Sequence, residues 1–344
     1  MTDTLEPPAD QPQTDNAQSR TGARRIGVVA IGRNEGERLV ACLKSVRGAA
    51  GRVVYVDSGS TDGSLDAAAA LGAETVSLDL STPFTAARAR NAGYRRLKEI
   101  AAPDYVQFID GDCELAAGWI ETAAAFLDDA PDAAAVCGRR REKFPERTIY
   151  NRLCDREWDT PAGEALSCGG DVLIRARAFD AVGGYRDGLI AGEEPELCVR
   201  LRAAGWRIHR LDAEMTRHDI AMTSLGQWMK RASRAGHAYA EVSHLHRGEP
   251  ENIWTRETLR ALAWAGLAPV SLAAGALAHP LGFALLLAYP LQVARIALRG
   301  GGAPVDWADG FLSVTGKFAE AKGAMGYHLN RLTGRKAGII EYKG

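Results

Sequence analysis

The amino-acid sequence predicts an α/β protein: a mostly parallel sheet flanked by helices, followed by a hydrophobic helical hairpin and an amphipathic tail. Short apolar runs alternate with helical stretches from Arg25 to about Gly205, as they do in βαβ units. Two of these runs end in acidic turns, at Asp57 and at Asp110-Gly111-Asp112. Farther along, residues 261–294 are 34 residues without one charged side chain.

Composition limits the class of protein. Of the 344 residues, 46% are hydrophobic and 25% charged, as in ordinary folded proteins. The net charge of -1 excludes a general nucleic-acid binder, which carries a basic excess. The six cysteines form no C-x-x-C pair, so neither a structural zinc site nor a disulfide framework is indicated. Residues 1–24 are polar, without the apolar core of a signal peptide, and we expect a disordered tail.

Apolar periodicity and helix start and stop signals predict the elements. Thr61 or Asp62 caps an alanine-rich helix that Gly72 closes. Pro195 suits the first turn of a helix that ends at Gly205. The other predictions are strands at 26–31, 53–57, 75–78 and 105–110 and helices at 36–47 and 85–100.

The acidic turns indicate a nucleotide held beside a metal. The carboxyl ends of parallel strands line one crevice, so Asp57 should meet Asp110 and Asp112 there. Two carboxylates separated by Gly111 suit a hard cation, Mg²⁺ or Mn²⁺, bound together with diphosphate oxygens. The alternative is an ordinary Asp-Gly turn. Asp57 could accept a hydrogen bond from a base N–H.

A second acidic cluster, Glu193, Glu194 and Glu196, lies at a predicted helix N-terminus, where the helix dipole favours ionised carboxylates. One of these carboxylates could deprotonate an incoming hydroxyl as a general base. The alternative is an acidic first turn that only satisfies the dipole.

Three further features are ambiguous when taken alone. His218 is by itself more often a packed histidine than a ligand, and Gly170-Asp171 would pass as a loop. Trp228 and Arg231 could bring an aromatic face and a cation to a diphosphate, or could form a solvated helix face.

The charge-free segment predicts two helices hinged at His279-Pro280. Each arm has about 17 residues, the lower limit for crossing a bilayer, so full spans and a re-entrant hairpin both fit. Arginines flank the segment on both sides, which places both ends in the cytoplasm; they are Arg256, Arg260, Arg295 and Arg299. The alternative is a buried helical pair in a soluble protein.

Beyond the hairpin, apolar residues recur at helical spacing beside basic ones. This pattern is typical of a basic amphipathic helix lying on an anionic leaflet. The apolar positions are Phe311, Val314, Phe318, Ala321, Met325 and Leu332, and the basic ones are Lys317, Lys322, Arg331, Arg335 and Lys336.

In combination, five ordered motifs resemble those of family 2 glycosyltransferases of the GT-A fold, a Rossmann-like α/β fold. The resemblance covers about residues 25–235. Its motifs are Val28-Val29-Ala30-Ile31-Gly32-Arg33-Asn34-Glu35, Val56-Asp57-Ser58-Gly59-Ser60-Thr61-Asp62-Gly63-Ser64, Ala89-Arg90-Asn91-Ala92-Gly93, Phe108-Ile109-Asp110-Gly111-Asp112 and Gly192-Glu193-Glu194-Pro195-Glu196-Leu197-Cys198-Val199-Arg200.

The resemblance implies roles for single residues. Asp57 would contact the nucleobase, most often uracil, with Arg90 and Asn91 at the nucleotide pocket. Asp112 with Asp110 would hold the metal, Mg²⁺ or Mn²⁺, at the donor diphosphate. The remaining implied roles are His218 completing the metal or phosphate site, Gly170 and Asp171 beside the donor sugar and acceptor, and Trp228 and Arg231 as a relative of a Gln-x-x-Arg-Trp element in altered order.

The implied base departs from the family pattern. Where the family has Gly-Glu-Asp, this chain has Gly192-Glu193-Glu194, so Glu194 takes the place of the base and Glu193 and Glu196 remain rivals. An inverting single displacement would follow.

These implications combine into an expected function: a metal-dependent inverting glycosyltransferase that uses a nucleotide-diphosphate sugar, with a UDP-sugar favoured. The acceptor would be lipid-linked or a saccharide near the membrane, as in bacterial cell-surface or exopolysaccharide synthesis. The alternatives are a nucleotidyltransferase and a non-catalytic membrane scaffold. We expect a catalytic domain at 25–235 facing the cytoplasm, a connecting segment at 236–260, the hairpin at 261–298 and the tail at 299–344.

Overall fold

A computed structural model of the chain describes residues 24–335. The predicted disordered tail therefore lies outside the described residues, apart from its last residue. Residues 336–344 at the end of the predicted amphipathic tail, which include Lys336, also lie outside them.

Nine strands of the described region form one mixed sheet, in the order β3-β2-β1-β4-β8-β6-β9-β5, with β7 paired to β9. Pairing is parallel for β1–β2, β1–β4, β2–β3 and β6–β9 and antiparallel for the others. The strands are β1 (Ile26–Gly32), β2 (Arg52–Asp57), β3 (Glu74–Ser77), β4 (Tyr105–Asp110), β5 (Cys113–Leu115), β6 (Ala133–Glu142), β7 (Gly163–Glu164), β8 (Val172–Arg175) and β9 (Arg207–His218).

The α-helices of the described region are α1 (Glu37–Val46), α2 (Ser64–Ala70), α3 (Ala86–Ala101), α4 (Trp119–Asp129), α5 (Ile149–Trp158), α6 (Ala176–Ala181), α7 (Glu193–Ala203), α8 (Leu225–Leu245), α9 (Thr255–Leu277), α10 (Ala288–Gly300) and α11 (Pro304–Thr333). A 3₁₀ helix, Pro280–Leu287, lies between α9 and α10.

The register of the central strands brings the acidic turns together. Strands β1, β2 and β4 are apolar and largely buried, which is typical of strands covered on both faces. Gly32 of β1 pairs with Asp57, and Ile31 pairs with Asp110 on the other side. Both acids therefore flank the carboxyl end of β1. The predicted fold class, a mostly parallel sheet flanked by helices, is confirmed.

Helix ends follow the sequence signals with one difference. Helix α7 begins at Glu193 and ends before Gly205, which has the left-handed φ of +85° expected there. The capping residue of α2 is Gly63, not Thr61 or Asp62. Asp62 still accepts a hydrogen bond from Ser64 N–H, so its carboxylate organises the turn one residue earlier.

The charge-free segment is hinged where the sequence indicates. Helix α9 ends at Leu277, and the 3₁₀ helix begins at Pro280. Both Thr255–Leu277 and Pro280–Gly300 are long and apolar enough to cross a membrane. Only 17% and 6% of their most apolar windows are buried, which argues against a buried pair inside a soluble protein.

Helix α11 does not simply lie beside the protein. A Cβ atom on Gly236 of α8 would come 1.9 Å from Glu320 O of α11, and one on Gly323 would come equally close to Ser233 O. Only glycine permits this close helix crossing. The predicted apolar stripe of α11 is split, since Val314 is buried while Phe311 stays exposed.

Candidate active site

A cavity of about 1390 Å³ opens at the carboxyl ends of the central strands. We call its lower part the cavity floor, which is lined by Arg90, Asp110, Asp112, Glu193 and Glu194. Arg140 does not line the cavity but contacts Asp110 of the floor. We call its other side the cavity wall, formed by α5, α8 and α11 at residues 153–157, 227–239 and 309–320.

Arg90 is the centre of the floor. Its side chain is 2% exposed, and its Nη1 atom lies 2.9 Å from a carboxylate oxygen of Glu193 and of Glu194. Its Nη2 donates a 2.7 Å hydrogen bond to Asp110 Oδ1. Burial opposes the charge of Arg90, but the Glu194 and Asp110 carboxylates raise its pKa well above the ordinary value. Arg90 therefore stays a cation that three carboxylates share.

Gly170 lies against this cluster. A Cβ atom there would come 2.4 Å from Arg90 Nη2, 2.9 Å from Asp110 and 3.1 Å from Glu194. Any side chain would displace the ions, so the floor requires glycine at this position.

Glu194 is a carboxylate of the floor with a raised pKa. Its side chain is 13% exposed and lines the cavity. Burial, with the neighbouring Glu193 charge, raises the pKa of Glu194 to about 7, although Arg90 opposes the shift. A carboxylate with a pKa near neutrality can accept a proton during catalysis and release it afterwards.

Glu196, the third candidate base, is not in the cavity. Its carboxylate is fully buried and binds Arg186, Arg200 and His246 Nε2. Burial alone would raise its pKa, but Arg200 and Arg186 hold the pKa below the ordinary value. The structure removes Glu196 from the rival bases, because its oxygens are occupied by cations away from the cavity.

Asp112 and His218 form the other buried pair. Asp112 Oδ2 lies 3.0 Å from His218 Nε2. Two adjacent ligands of an octahedral ion with bonds of about 2.1 Å lie about 3.0 Å apart, so this pair fits one Mg²⁺ or Mn²⁺ ion. Burial, together with Arg140, lowers the pKa of His218 to about 4, which keeps the imidazole neutral as a metal ligand must be. Cys113 Sγ lies in the same group.

Asp110 faces cations rather than this pair. Its carboxylate oxygens bind Arg90 and, at 3.4 Å, Arg140 Nη2. Asp110 with Cys113 and Asp171 makes a second group with metal-ligand spacing, which shares Cys113 with the group of Asp112 and His218. In this conformation Asp112 is the acid beside the predicted metal position.

Asp57 organises its own turn. Its Oδ2 accepts hydrogen bonds from Gly59 N–H and Ser60 N–H, and its Oδ1 accepts one from the Tyr55 hydroxyl. Ser58, not Asp57, lines the cavity. A carboxylate has about four lone-pair positions, so one acceptor position remains for a base N–H.

Two predicted donor-binding residues have structural partners instead. Asn91 Nδ2 donates to Tyr185 O and to Asp187 Oδ1, which turns it away from the cavity that Arg90 enters. Asp171 is 1% exposed and accepts hydrogen bonds from Asp110 N–H and from Arg140. In this structure their polar atoms hold the loop at 185–187 and the floor, and donor contact by either residue stays a prediction.

Trp228 and Arg231 do line the cavity, on its wall. Arg231 pairs with Glu157 through two 2.9 Å contacts, and its guanidinium lies over the Trp228 ring. Sequence reasoning missed two other parts of the site, Arg140 and helix α11. Arg140 is the middle one of three consecutive arginines at the end of β6, so the sequence does not distinguish it from its neighbours. Likewise, nothing in the sequence of α11 distinguishes a cavity wall from a lipid-facing helix.

With this geometry established, comparison with known proteins identifies the region. Residues 28–175 match the family model described as glycosyl transferase family 2. The chain is 26% identical over 235 residues to the pre-mycofactocin glycosyltransferase of Mycobacterium tuberculosis, a match that covers 65% of this chain and 48% of the relative. It is 29% identical over 131 residues to the glucosyl-dolichyl phosphate glucuronosyltransferase of Haloferax volcanii, covering 33% of this chain and 42% of the relative. The chain thus spans about half the length of these curated relatives.

Solved structures show the same fold. The mannosyltransferase PcManGT of Pyrobaculum calidifontis, in complex with GDP-Man and Mn²⁺, superposes with a TM-score of 0.60 at 19% identity, covering 89% of this chain and 88% of that one. Residues 1–349 of S. aureus TarS superpose with a TM-score of 0.51 at 14% identity, covering 89% and 92%. The predicted GT-A fold is thereby confirmed.

Proposed function

We propose that this chain, whose residues 28–175 belong to glycosyl transferase family 2, moves a sugar from a nucleotide-diphosphate sugar to an acceptor hydroxyl by a metal-dependent inverting displacement. One observation carries the proposal. A single cavity is lined by Asp112, whose 3.0 Å distance to the Nε2 atom of buried His218 fits a divalent ion, and by Glu194, whose pKa burial raises to about 7. A metal position and a proton acceptor on either side of Arg90 are the two groups that such a transfer needs.

Asp112 and His218 would hold the divalent ion, which supplies neutralisation of charge on the departing nucleoside diphosphate. Asp110, at the end of β4 and two residues before Asp112, binds Arg90. On this assignment the diphosphate lies over the turn at 110–112, near the carboxyl end of β1.

Glu194 accepts the proton of the acceptor hydroxyl. As that oxygen bonds to the anomeric carbon, the bond from the anomeric carbon to the diphosphate oxygen breaks, and the electron pair leaves with the nucleoside diphosphate. The proton remains on the carboxylate until product release. One base on one face gives inversion at the anomeric carbon. Glu193, which is 3% exposed against Arg90, is a less accessible base and helps to raise the pKa of Glu194.

Arg90 positions this base. Its Nη1 atom contacts the Glu193 and Glu194 carboxylates, and its Nη2 atom contacts Asp110. One rigid guanidinium therefore sets the distance between Glu194 and the turn at 110–112. Lysine could not hold three carboxylates in this geometry.

The comparisons support a nucleotide-sugar donor. PcManGT is described in complex with GDP-Man and Mn²⁺, and TarS 1–349 in complex with UDP at a TM-score of 0.50. We favour a UDP-sugar, with Asp57 as the acceptor of a hydrogen bond from uracil N–H; its remaining lone pair permits that role.

We further propose that the acceptor is lipid-linked or lies near the membrane, as in cell-surface or exopolysaccharide assembly. The two apolar helices and the flanking arginines support cytoplasmic-membrane attachment with the catalytic region on the cytoplasmic side. The name of the Haloferax relative specifies a dolichyl phosphate-linked substrate.

A donor screen tests the proposal. The purified full chain is incubated with a membrane extract, Mn²⁺ and a panel of nucleotide sugars, and free nucleoside diphosphate is measured. We expect release from one donor class and none when EDTA removes the ion. Asp112→Asn serves as the inactive control and Lys322→Met, on the exposed side of α11, as the active one. No release from any donor, together with no nucleotide binding at millimolar concentration, would leave the scaffold alternative.

A further inference from the structure

The cavity wall contains a feature that the transfer chemistry does not use: helix α11, more than 100 residues beyond α7 in sequence, forms one side of the cavity. Asp309, Ser313, Lys317 and Glu320 recur at intervals of three or four residues and so lie along one face of the helix, within the lining. The opposite face carries exposed apolar side chains such as Phe311 and Phe318.

Two cations that line this wall, Lys317 and Arg231, are paired with carboxylates of the same wall. Lys317 Nζ lies 2.6 and 2.7 Å from the two carboxylate oxygens of Glu320, and Arg231 makes its two contacts with Glu157. Ser313 donates a hydrogen bond to Asp309 Oδ1. Cations that already hold carboxylates offer no net attraction to a phosphate, which would have to displace those acids.

The same groups suit sugar hydroxyls. A paired carboxylate still has free lone pairs, and the Lys317 ammonium has three N–H groups of which Glu320 does not need all. A hydroxyl can donate to the first and accept from the second without separating the pair. Trp228 adds an aromatic face beside Arg231. At about 1390 Å³ the cavity also exceeds the roughly 300–1,000 Å³ of a site for one small molecule, which leaves room for two ligands.

We infer that the polar face of α11, centred on Lys317 and Glu320, is the acceptor subsite, and that it binds the hydroxyls of a neutral saccharide end rather than a phosphate. The inference rests on the proposed function. On this inference the polar face of α11 binds the acceptor sugar across the cavity from Glu194, and the opposite face of the helix is apolar.

The test uses the full chain in detergent and octyl glycosides (glucoside, galactoside and mannoside) as acceptor probes, with octyl phosphate as the competing chemistry. Saturation-transfer NMR measures probe binding in the presence of Mn²⁺ and a nucleoside diphosphate. The variant is Lys317→Met/Glu320→Gln, which removes both charges and keeps side-chain size. Lys322→Met, which removes an exposed lysine from the same helix, is the matched control.

We expect at least one glycoside to bind the wild type and the control, and its Kd to rise at least tenfold in the double variant. Nucleoside diphosphate Kd and donor hydrolysis without acceptor should change less than twofold, which a misfolded variant would not show. Gly316→Leu is a second variant: Gly316 lines the cavity and a Cβ there has no neighbour closer than 3.9 Å, so we expect the added side chain to occupy part of the cavity. It should weaken glycoside binding in the same way.

Binding of octyl phosphate in preference to every glycoside, or equal glycoside affinity in wild type and both variants, would overturn the inference. Equal losses in donor and acceptor binding would also overturn it, since α11 would then serve the donor or the fold. Failure of the proposed function looks different: the wild type would neither bind nucleotide nor release it from any nucleotide sugar.

Discussion

The cavity floor and the cavity wall are both charged, but their charges are balanced differently. On the wall, Arg231 and Lys317 each have an acid of their own. On the floor, three carboxylates crowd one guanidinium, that of Arg90, and burial raises the pKa of Glu194 to about 7. Burial also raises the pKa of Glu320 on the wall, but the Lys317 ammonium opposes that shift. On the floor the pKa of Glu194 reaches about 7, because Glu193 adds to the effect of burial and Arg90 is shared among three carboxylates. This difference separates a region suited to chemistry from a region suited to recognition.

A smaller comparison within α7 teaches the same lesson. Glu194 and Glu196 are two residues apart, but Glu194 shares Arg90 with other acids, whereas Glu196 binds both Arg186 and Arg200. The pKa is raised in the first case and lowered in the second. The number of cations around each carboxylate, not its sequence context, decides which one can act as a base.

The largest expected effect comes from the floor. Asp112→Ala removes one of two predicted metal ligands and leaves buried His218 without its 3.0 Å partner. We expect turnover below detection and Mn²⁺-dependent nucleotide binding weakened at least tenfold, measured by product release and calorimetry. Asp309→Asn, a carboxylate change on the wall, is the control that should retain nucleotide affinity. Normal turnover by Asp112→Ala would end the metal assignment.

Glu194→Gln tests the proton acceptor. The amide keeps the size of the side chain but cannot take a proton, so kcat should fall by about 10²–10⁴-fold. Nucleoside diphosphate affinity should stay within a few-fold of wild type, because Glu194 does not contact the predicted metal pair. Full activity would transfer the role to Glu193, and the reciprocal Glu193→Gln variant then becomes decisive.

Glu196→Gln should affect folding instead of chemistry. The change leaves Arg200 and His246 near a neutral group in a site where the native carboxylate is fully buried. We expect the free energy of unfolding to fall by about 3 kcal/mol, the lower end for breaking a buried ion pair, since Arg186 is half-exposed. Thermal unfolding measures this loss. Turnover per folded molecule should be unchanged; a selective loss of kcat with normal stability would place Glu196 in the site after all.

The smallest effect is in the pH profile. Because Glu194 must be ionised to accept a proton and its pKa is about 7, kcat/KM should reach a plateau above pH 7 and fall towards tenfold per unit below it. Residual activity of Glu194→Gln should lack this acidic limb. A limb near pH 4.5 in the wild type would mean that the base has an ordinary carboxyl pKa, and the floor would not differ from the wall in the way described.

Much of the fold could be predicted from local pattern. Buried apolar strands that end in acids predicted the edge where Asp57 and Asp110 flank β1, and Pro280 marked the break in the apolar segment. The contacts that local pattern did not predict depend on distant partners. Asn91 is next to Arg90 in sequence, but it points to a loop almost 100 residues away, so helix rotation separated two residues that one motif had joined.

The sequence by itself determined which residue types stand at the sheet edge and at the start of α7, because strand and helix periods are local properties of the chain. Only the tertiary structure decided which carboxylate has a raised pKa, since Arg90 and Arg186 reach α7 from other parts of the chain. It also decided that α11 closes the cavity, through a glycine crossing at Gly236 and Gly323 that needs both helices in place. Electrostatic balance and close packing both depend on which residues become neighbours, and neighbours are fixed only when the chain has folded.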